Sequence, residues 1–139
     1  MARSITAARS TIATGSSSGG ALHNNAYGGG ALLDLEIDLA LGSATAGAVF
    51  LYNGGTVNNR ATLSNVAGHT QANAGMIVNT GAIANAGTFN NEIGGEIIND
   101  NGATIGNTGT LNNGSVITNR GALSNSGTFT NTSYYANSD

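Results

Sequence analysis

The chain has 139 residues, enough for one domain with a modest core but not for two. It contains no Pro, Cys, Trp or Lys, only 8% of it is charged, and its net charge of −3 sets four Arg against seven acidic residues. This composition excludes a disulfide framework, a thiolate metal site and a basic surface for nucleic acid, and it lacks the net charge that keeps disordered tails soluble. A membrane-spanning helix is excluded too, because no apolar run approaches the roughly 20 residues a bilayer requires.

In chain order, residues 1–32 come first and differ in kind from the rest. Residues 1–9 are basic but lack an apolar stretch of the usual length, so a conventional secretory signal is not expected. Gly15-Ser16-Ser17-Ser18-Gly19-Gly20 and Gly28-Gly29-Gly30 read as flexible punctuation, while Ile5 and Ile12 among Thr, Ala and Ser suit a short strand. The segment reads as a flexible N-terminal arm: a loosely held terminus or, alternatively, an arm that adds a strand to a neighbouring subunit. Residues 33–52 follow as a first coil or N-terminal cap. Leu33, Leu35, Ile37, Leu39 and Leu41 take odd positions, and Asp34, Glu36 and Asp38 take even ones.

From residue 53 to residue 139 the chain is written in six-residue repeats, Gly-(Thr/Ala)-(Leu/Ile/Phe)-x-Asn-x. Asn recurs every six residues at Asn53, Asn59 and Asn65, again at Asn73, Asn79, Asn85 and Asn91, and again at Asn101, Asn107, Asn113, Asn119, Asn125, Asn131 and Asn137. Two residues before most of these Asn stands a large apolar residue, among them Ile105, Leu111, Ile117, Leu123, Phe129 and Tyr135, which form the expected core. Four before it there is usually Gly or another small residue, as at Gly109, Gly121 and Gly127. Six is a multiple of two, so on a strand every Gly, apolar residue and Asn keeps to one side. The two irregular joints, 65 to 73 and 91 to 101, insert two and four residues; both are even, so the inside stays inside.

A hairpin fold would show strands of uneven content between turn signals. Equivalent six-residue units instead predict an all-β chain coiled as a single parallel β-solenoid (a β-helix), with three strands and about 18 residues per coil and a rung spacing of roughly 4.8 Å. That length stacks Leu111 under Phe129, Ile105 under Leu123 and Ile117 under Tyr135. It also stacks Asn101, Asn119 and Asn137 in one column and Asn107 and Asn125 in another. Such columns can pass amide N–H to amide C=O along the axis, satisfying polar groups that are costly to bury bare.

Runs such as Gly109-Thr110-Leu111-Asn112-Asn113 and Gly127-Thr128-Phe129-Thr130-Asn131 resemble the repeats of bacterial β-helical surface proteins, the filamentous-haemagglutinin-type and autotransporter adhesins. The resemblance covers roughly residues 53–137. It implies a β-helical architecture and an extracellular or cell-surface setting, reached here without a conventional signal peptide.

Candidate sites are few. Asp34, Glu36 and Asp38 are the candidates for a metal, but alternate strand positions place carboxylates about 7 Å apart, which suits a solvated strand face better than one ion. Glu92, Glu96 and Asp100 fall in the second joint, where an exposed loop is a simpler account than a hydrolase pair. His69 and Gln71 fall at odd positions and point inward, with no second ligand at metal-binding spacing. No nucleophile–base–acid set and no phosphate loop is present. No enzyme activity and no cofactor are expected. The expected partner is the chain itself, stacked end to end into a filament or fibre. The alternative is an adhesin or fibre-tip module binding a glycan, a surface or ice.

Overall fold

The computed structural model of the protein describes residues 49–138 continuously, together with residues 4–6, 22–24, 32–35 and 39–41. The described residues form an all-β parallel solenoid of three sheets, and no helix among them is long and apolar enough to cross a membrane. The first sheet has seven strands: β1 (Ser4–Thr6), β3 (Leu32–Leu35), β6 (Thr56–Asn59), β9 (Met76–Asn79), β12 (Glu96–Asn99), β15 (Val116–Asn119) and β18 (Tyr134–Asn137). The second has six: β2 (Leu22–Asn24), β5 (Val49–Asn53), β8 (Thr70–Asn73), β11 (Thr88–Asn91), β14 (Thr110–Asn113) and β17 (Thr128–Asn131). The third has five: β4 (Leu39–Leu41), β7 (Thr62–Asn65), β10 (Ala82–Asn85), β13 (Thr104–Asn107) and β16 (Ala122–Asn125). From β5 onward the chain visits the second, first and third sheets in turn, so each coil contributes one strand to each.

The four-residue strands from β6 to β15 alternate in burial, except β8, where Ala72 is buried as well. In β14, Leu111 and Asn113 are buried while Thr110 and Asn112 are only half so. The inward aliphatic residues stack into one continuous core: Val57, Leu63, Ile77, Ile83, Phe89, Ile97, Ile105, Leu111 and Ile117 are each at most 3% exposed. Burying each such side chain is worth on the order of 1.5–3 kcal/mol. The expected stacking is observed, with Leu111 opposite Phe129, Ile105 opposite Leu123 and Ile117 opposite Tyr135.

The coils are not of one length. Successive asparagines in a column are 18, 20 or 22 residues apart, because two kinds of corner join the strands. Short corners such as Gly54-Gly55 place two residues between strands. Long corners place four residues there, at 66–69, 92–95 and 100–103. Each long corner closes on itself, His69 N–H donating to Val66 O, Gly95 N–H to Glu92 O and Ala103 N–H to Asp100 O. Their third residues, Gly68, Gly94 and Gly102, have φ of 84°, 89° and 80°. A type II turn demands that left-handed value, which glycine reaches at no steric cost. The two added residues leave the parity intact, and there is one long corner at each of the three edges of the solenoid.

At some short corners the coils stack so closely that a side chain at the second position is shut out. A Cβ on Gly109 would collide with the carbonyl of Gly87, and one on Gly127 with the carbonyl of Gly109. Upstream, the odd positions continue the same columns: Leu33 is in register with Val57, and Leu39 with Leu63. Within the segment read as an arm, β1 pairs with β3 and β2 with β5, so these residues serve the chain's own sheets. The rest of 1–31 lies outside the described residues. In β5 the register with β8 shifts between Val49 and Leu51, where Phe50 is an extra residue.

Candidate functional site

Three asparagine ladders run along the inside of the corners. On the second sheet, the amide Nδ2 of Asn53 donates to Oδ1 of Asn73 at 2.7 Å, and the chain continues through Asn91 and Asn113 to Asn131. On the first sheet the ladder is Asn59, Asn79, Asn99, Asn119 and Asn137. On the third it is Asn65, Asn85, Asn107 and Asn125. All these bonds point the same way, Nδ2 donating toward the C-terminal coil. The second amide hydrogen is used as well: Asn113 Nδ2 also donates to Tyr134 O at 2.8 Å, and Asn107 Nδ2 to Thr128 O at 2.9 Å. Each rung therefore ties a side chain to the next coil twice, which is how an apolar interior carries so much buried amide.

Asn101 is not part of a ladder. It lies exposed in the long corner 100–103, and Asn99 takes the position below Asn119, donating to its Oδ1 at 2.7 Å. The stretch from Asn91 to Asn107 holds two two-residue insertions rather than one of four. Between them lies a full strand whose inward residues are Ile97 and Asn99. The signal was present: Asn91-x-x-Gly94 and Asn99-x-x-Gly102 both repeat the pattern of Asn65-x-x-Gly68.

The ladders begin unequally. Asn24 stands in register beneath Asn53, but Leu35 stands beneath Asn59 and Leu41 beneath Asn65. Asn65 Oδ1 has no hydrogen-bond partner although it is buried. Leu41 offers no donor from below, and the long corner removes the turn amide that Asn53 and Asn59 receive from Gly55 and Ala61.

At the other end, the last described coil is open. Ile105, Leu111 and Ile117 are buried, whereas Leu123, Phe129 and Tyr135, which continue their columns, are only partly so. The rings of Phe129 and Tyr135 meet edge to face with centroids 5.4 Å apart. Asn125, Asn131 and Asn137 are exposed, and Asn125 and Asn131 keep the bond from Nδ2 to Gly127 O and Ser133 O of their own coil that Asn73 and Asn119 also make to Gly75 O and Gly121 O. This rung presents an apolar centre ringed by amide donors, in the register of the coils beneath.

The remaining candidates do not converge. Asp34 lies on β3 opposite Asn58, while Glu36 and Asp38 lie outside the described residues. Glu92 is exposed at a corner, Glu96 faces outward on β12, and Asp100 lies 3.5 Å from Arg120 in an exposed ion pair. His69 is buried with Nδ1 3.1 Å from Ala67 O. Gln71 is fully buried between the register positions of Leu51 and Phe89, and neither its Oε1 nor its Nε2 has a hydrogen-bond partner. Among the described residues no three His, Cys, Asp or Glu side chains gather as a metal site would require. No protein-family model matches the chain, and no match was found among curated proteins or solved structures.

Proposed function

We propose that the chain is a structural, non-catalytic subunit that stacks end to end into an extracellular or cell-surface filament. The observation that carries this reading is the equivalence of the coil-to-coil contacts, the same aliphatic stack from Val57 to Ile117 and the same asparagine bonds at all three corners. An exposed row of strand groups in solenoid register templates a further strand, and an apolar centre rewards its arrival. The resemblance of Gly109-Thr110-Leu111-Asn112-Asn113 to bacterial adhesin repeats supports the surface setting. Negative-stain microscopy and sedimentation across a concentration series test the reading. Filaments are expected, and Phe129→Asp on the open rung should abolish them while leaving the β-sheet circular dichroism unchanged. Monodisperse monomers at the highest concentration would overturn it.

A second reading, a binding module for a glycan, a surface or ice, draws on the outward face of the second sheet. There Thr70, Thr88, Thr110 and Thr128 stack in register, beside a bond from Asn112 Nδ2 to Asn90 Oδ1 of 2.9 Å. A glycan array and an ice-recrystallisation assay with Thr88→Val and Thr110→Val variants separate this reading from the first.

A further inference from the structure

The three outward faces differ in chemistry. The second is lined by threonine and asparagine. On the first, the side chains Met76, Val78, Ile98, Val116 and Tyr134 face outward on β9, β12, β15 and β18, around a single carboxylate, Glu96. They sit in two adjoining columns: Met76, Glu96, Val116 and Tyr134 in one, and Val78, Ile98, Thr118 and Ala136 in the other. Tyr134 is 59% exposed. The third face is the inverse, small and uncharged. Its outward column is Ser64, Ala84, Gly106 and Ser124, of which the first three floor a shallow groove of about 360 Å³ whose rim is Val66, Ala86 and Thr108.

We propose that the apolar first face of one copy packs sideways on the small-residue third face of a second copy, so that filaments associate laterally. Bulky side chains against small ones interdigitate, whereas two bulky faces would not. A pairing of first face with first face would also press Glu96 of one copy toward Glu96 of the other in an apolar setting, where like charges repel. Against the third face the same carboxylate meets a hydroxyl, that of Ser64, Thr104 or Ser124, which can donate to it. The contact is heterologous, with different surfaces on the two sides, so it leaves a free copy of each face and propagates.

Its size explains why a single subunit would show it poorly. Four rungs at about 4.8 Å and four residues at about 3.3 Å give a footprint of roughly 250 Å², far below the roughly 800 Å² per partner of a stable interface. The inference therefore rests on the stacking reading for its strength: joined subunits present the same face many times over, and weak contacts add through effective concentration. Lateral packing should follow stacking and be steeply cooperative with filament length.

The absence of cysteine makes the test clean. Ile98→Cys and Ala84→Cys chains, one thiol each, are mixed at high concentration and oxidised. The mixed disulfide is expected to exceed either self-disulfide several-fold. A predominance of the Ile98→Cys self-disulfide, or no mixed disulfide above a control with the thiol on the second face (Thr110→Cys), overturns the inference. In microscopy, Ala84→Arg should leave filaments intact but single where the parent chain bundles. Single filaments in the parent chain sink lateral packing and leave stacking standing. A mixed disulfide without filaments does the reverse.

Discussion

The middle coils and the last coil are written in the same repeat and behave differently. Asn107, Asn113 and Asn119 are at most 2% exposed, while Asn125, Asn131 and Asn137, the same residue at the same position one coil later, are open to solvent. Nothing in the six residues themselves changes. What changes is whether a coil lies above. Stability in a solenoid resides in the interface between neighbouring repeats, so an interior repeat is covered on both sides and the last described one on one side only.

Substitutions made in pairs, one in each region, sharpen that contrast. The largest effect is expected in the core. Ile117→Ala should cost about 3–4 kcal/mol, because the cavity is closed in by coils on both sides, and Leu123→Ala less than about half of that. Paired urea denaturation curves check the difference. In the ladders, Asn113→Ala strands the amides of Asn91 and Asn131 and should cost about 2–3 kcal/mol, against under about 1 kcal/mol for Asn131→Ala. Equal losses from the two asparagine variants would mean that the ladder's contribution does not depend on its neighbours. Gln71→Leu should stabilise by about 1–2 kcal/mol, since it replaces a buried amide without partners by an apolar side chain of similar size. The smallest effect is expected at the exposed pair, where Asp100→Asn should change stability by less than about 0.5 kcal/mol. Hydrogen exchange resolved by coil gives an independent reading: β16–β18 should exchange well ahead of β10–β15.

Much of this fold is legible in the sequence because one physical rule, the two-residue parity of a strand, runs unbroken from β6 to β18. Val57, Ile77 and Leu111 lie on the inside for the same reason that Thr56, Met76 and Thr110 do not. The stacking of Leu111 on Phe129 follows from a step of 18 residues, and that step holds wherever the corners are short. Where it lengthens, counting asparagines misleads. Asn101 keeps the six-residue beat toward Asn107, yet the strand ends at Asn99, because the Gly102 turn needs the residues between. An Asn that caps a strand and an Asn that fills a turn look alike in a repeat. The glycine three residues after the true ladder position separates them.

The surface was less legible. The apolar character of Met76, Val78, Ile98 and Val116 is visible along the chain, but their successive rungs are 20 residues apart and meet only once the coil length is known. The same holds for the threonine column. Gln71 shows the converse limit. Parity sends it inward, and nothing local reveals that its column neighbours are Leu51 and Phe89, which offer it no partner.

At every corner two hydrogen-bonded chains run in opposite directions. The ladder amides donate toward the C-terminal coil, whereas the backbone N–H groups beside them, such as Ala74 to Asn53 O, Met76 to Gly55 O and Thr128 to Gly109 O, donate back toward the N-terminal one. Each amide carries a dipole of about 3.5 D, and aligned dipoles add along a stack as they do along a helix. Set side by side and reversed, the two rows oppose each other. The ladders therefore offset part of the dipole that the backbone groups at the corners set up along the axis of the solenoid.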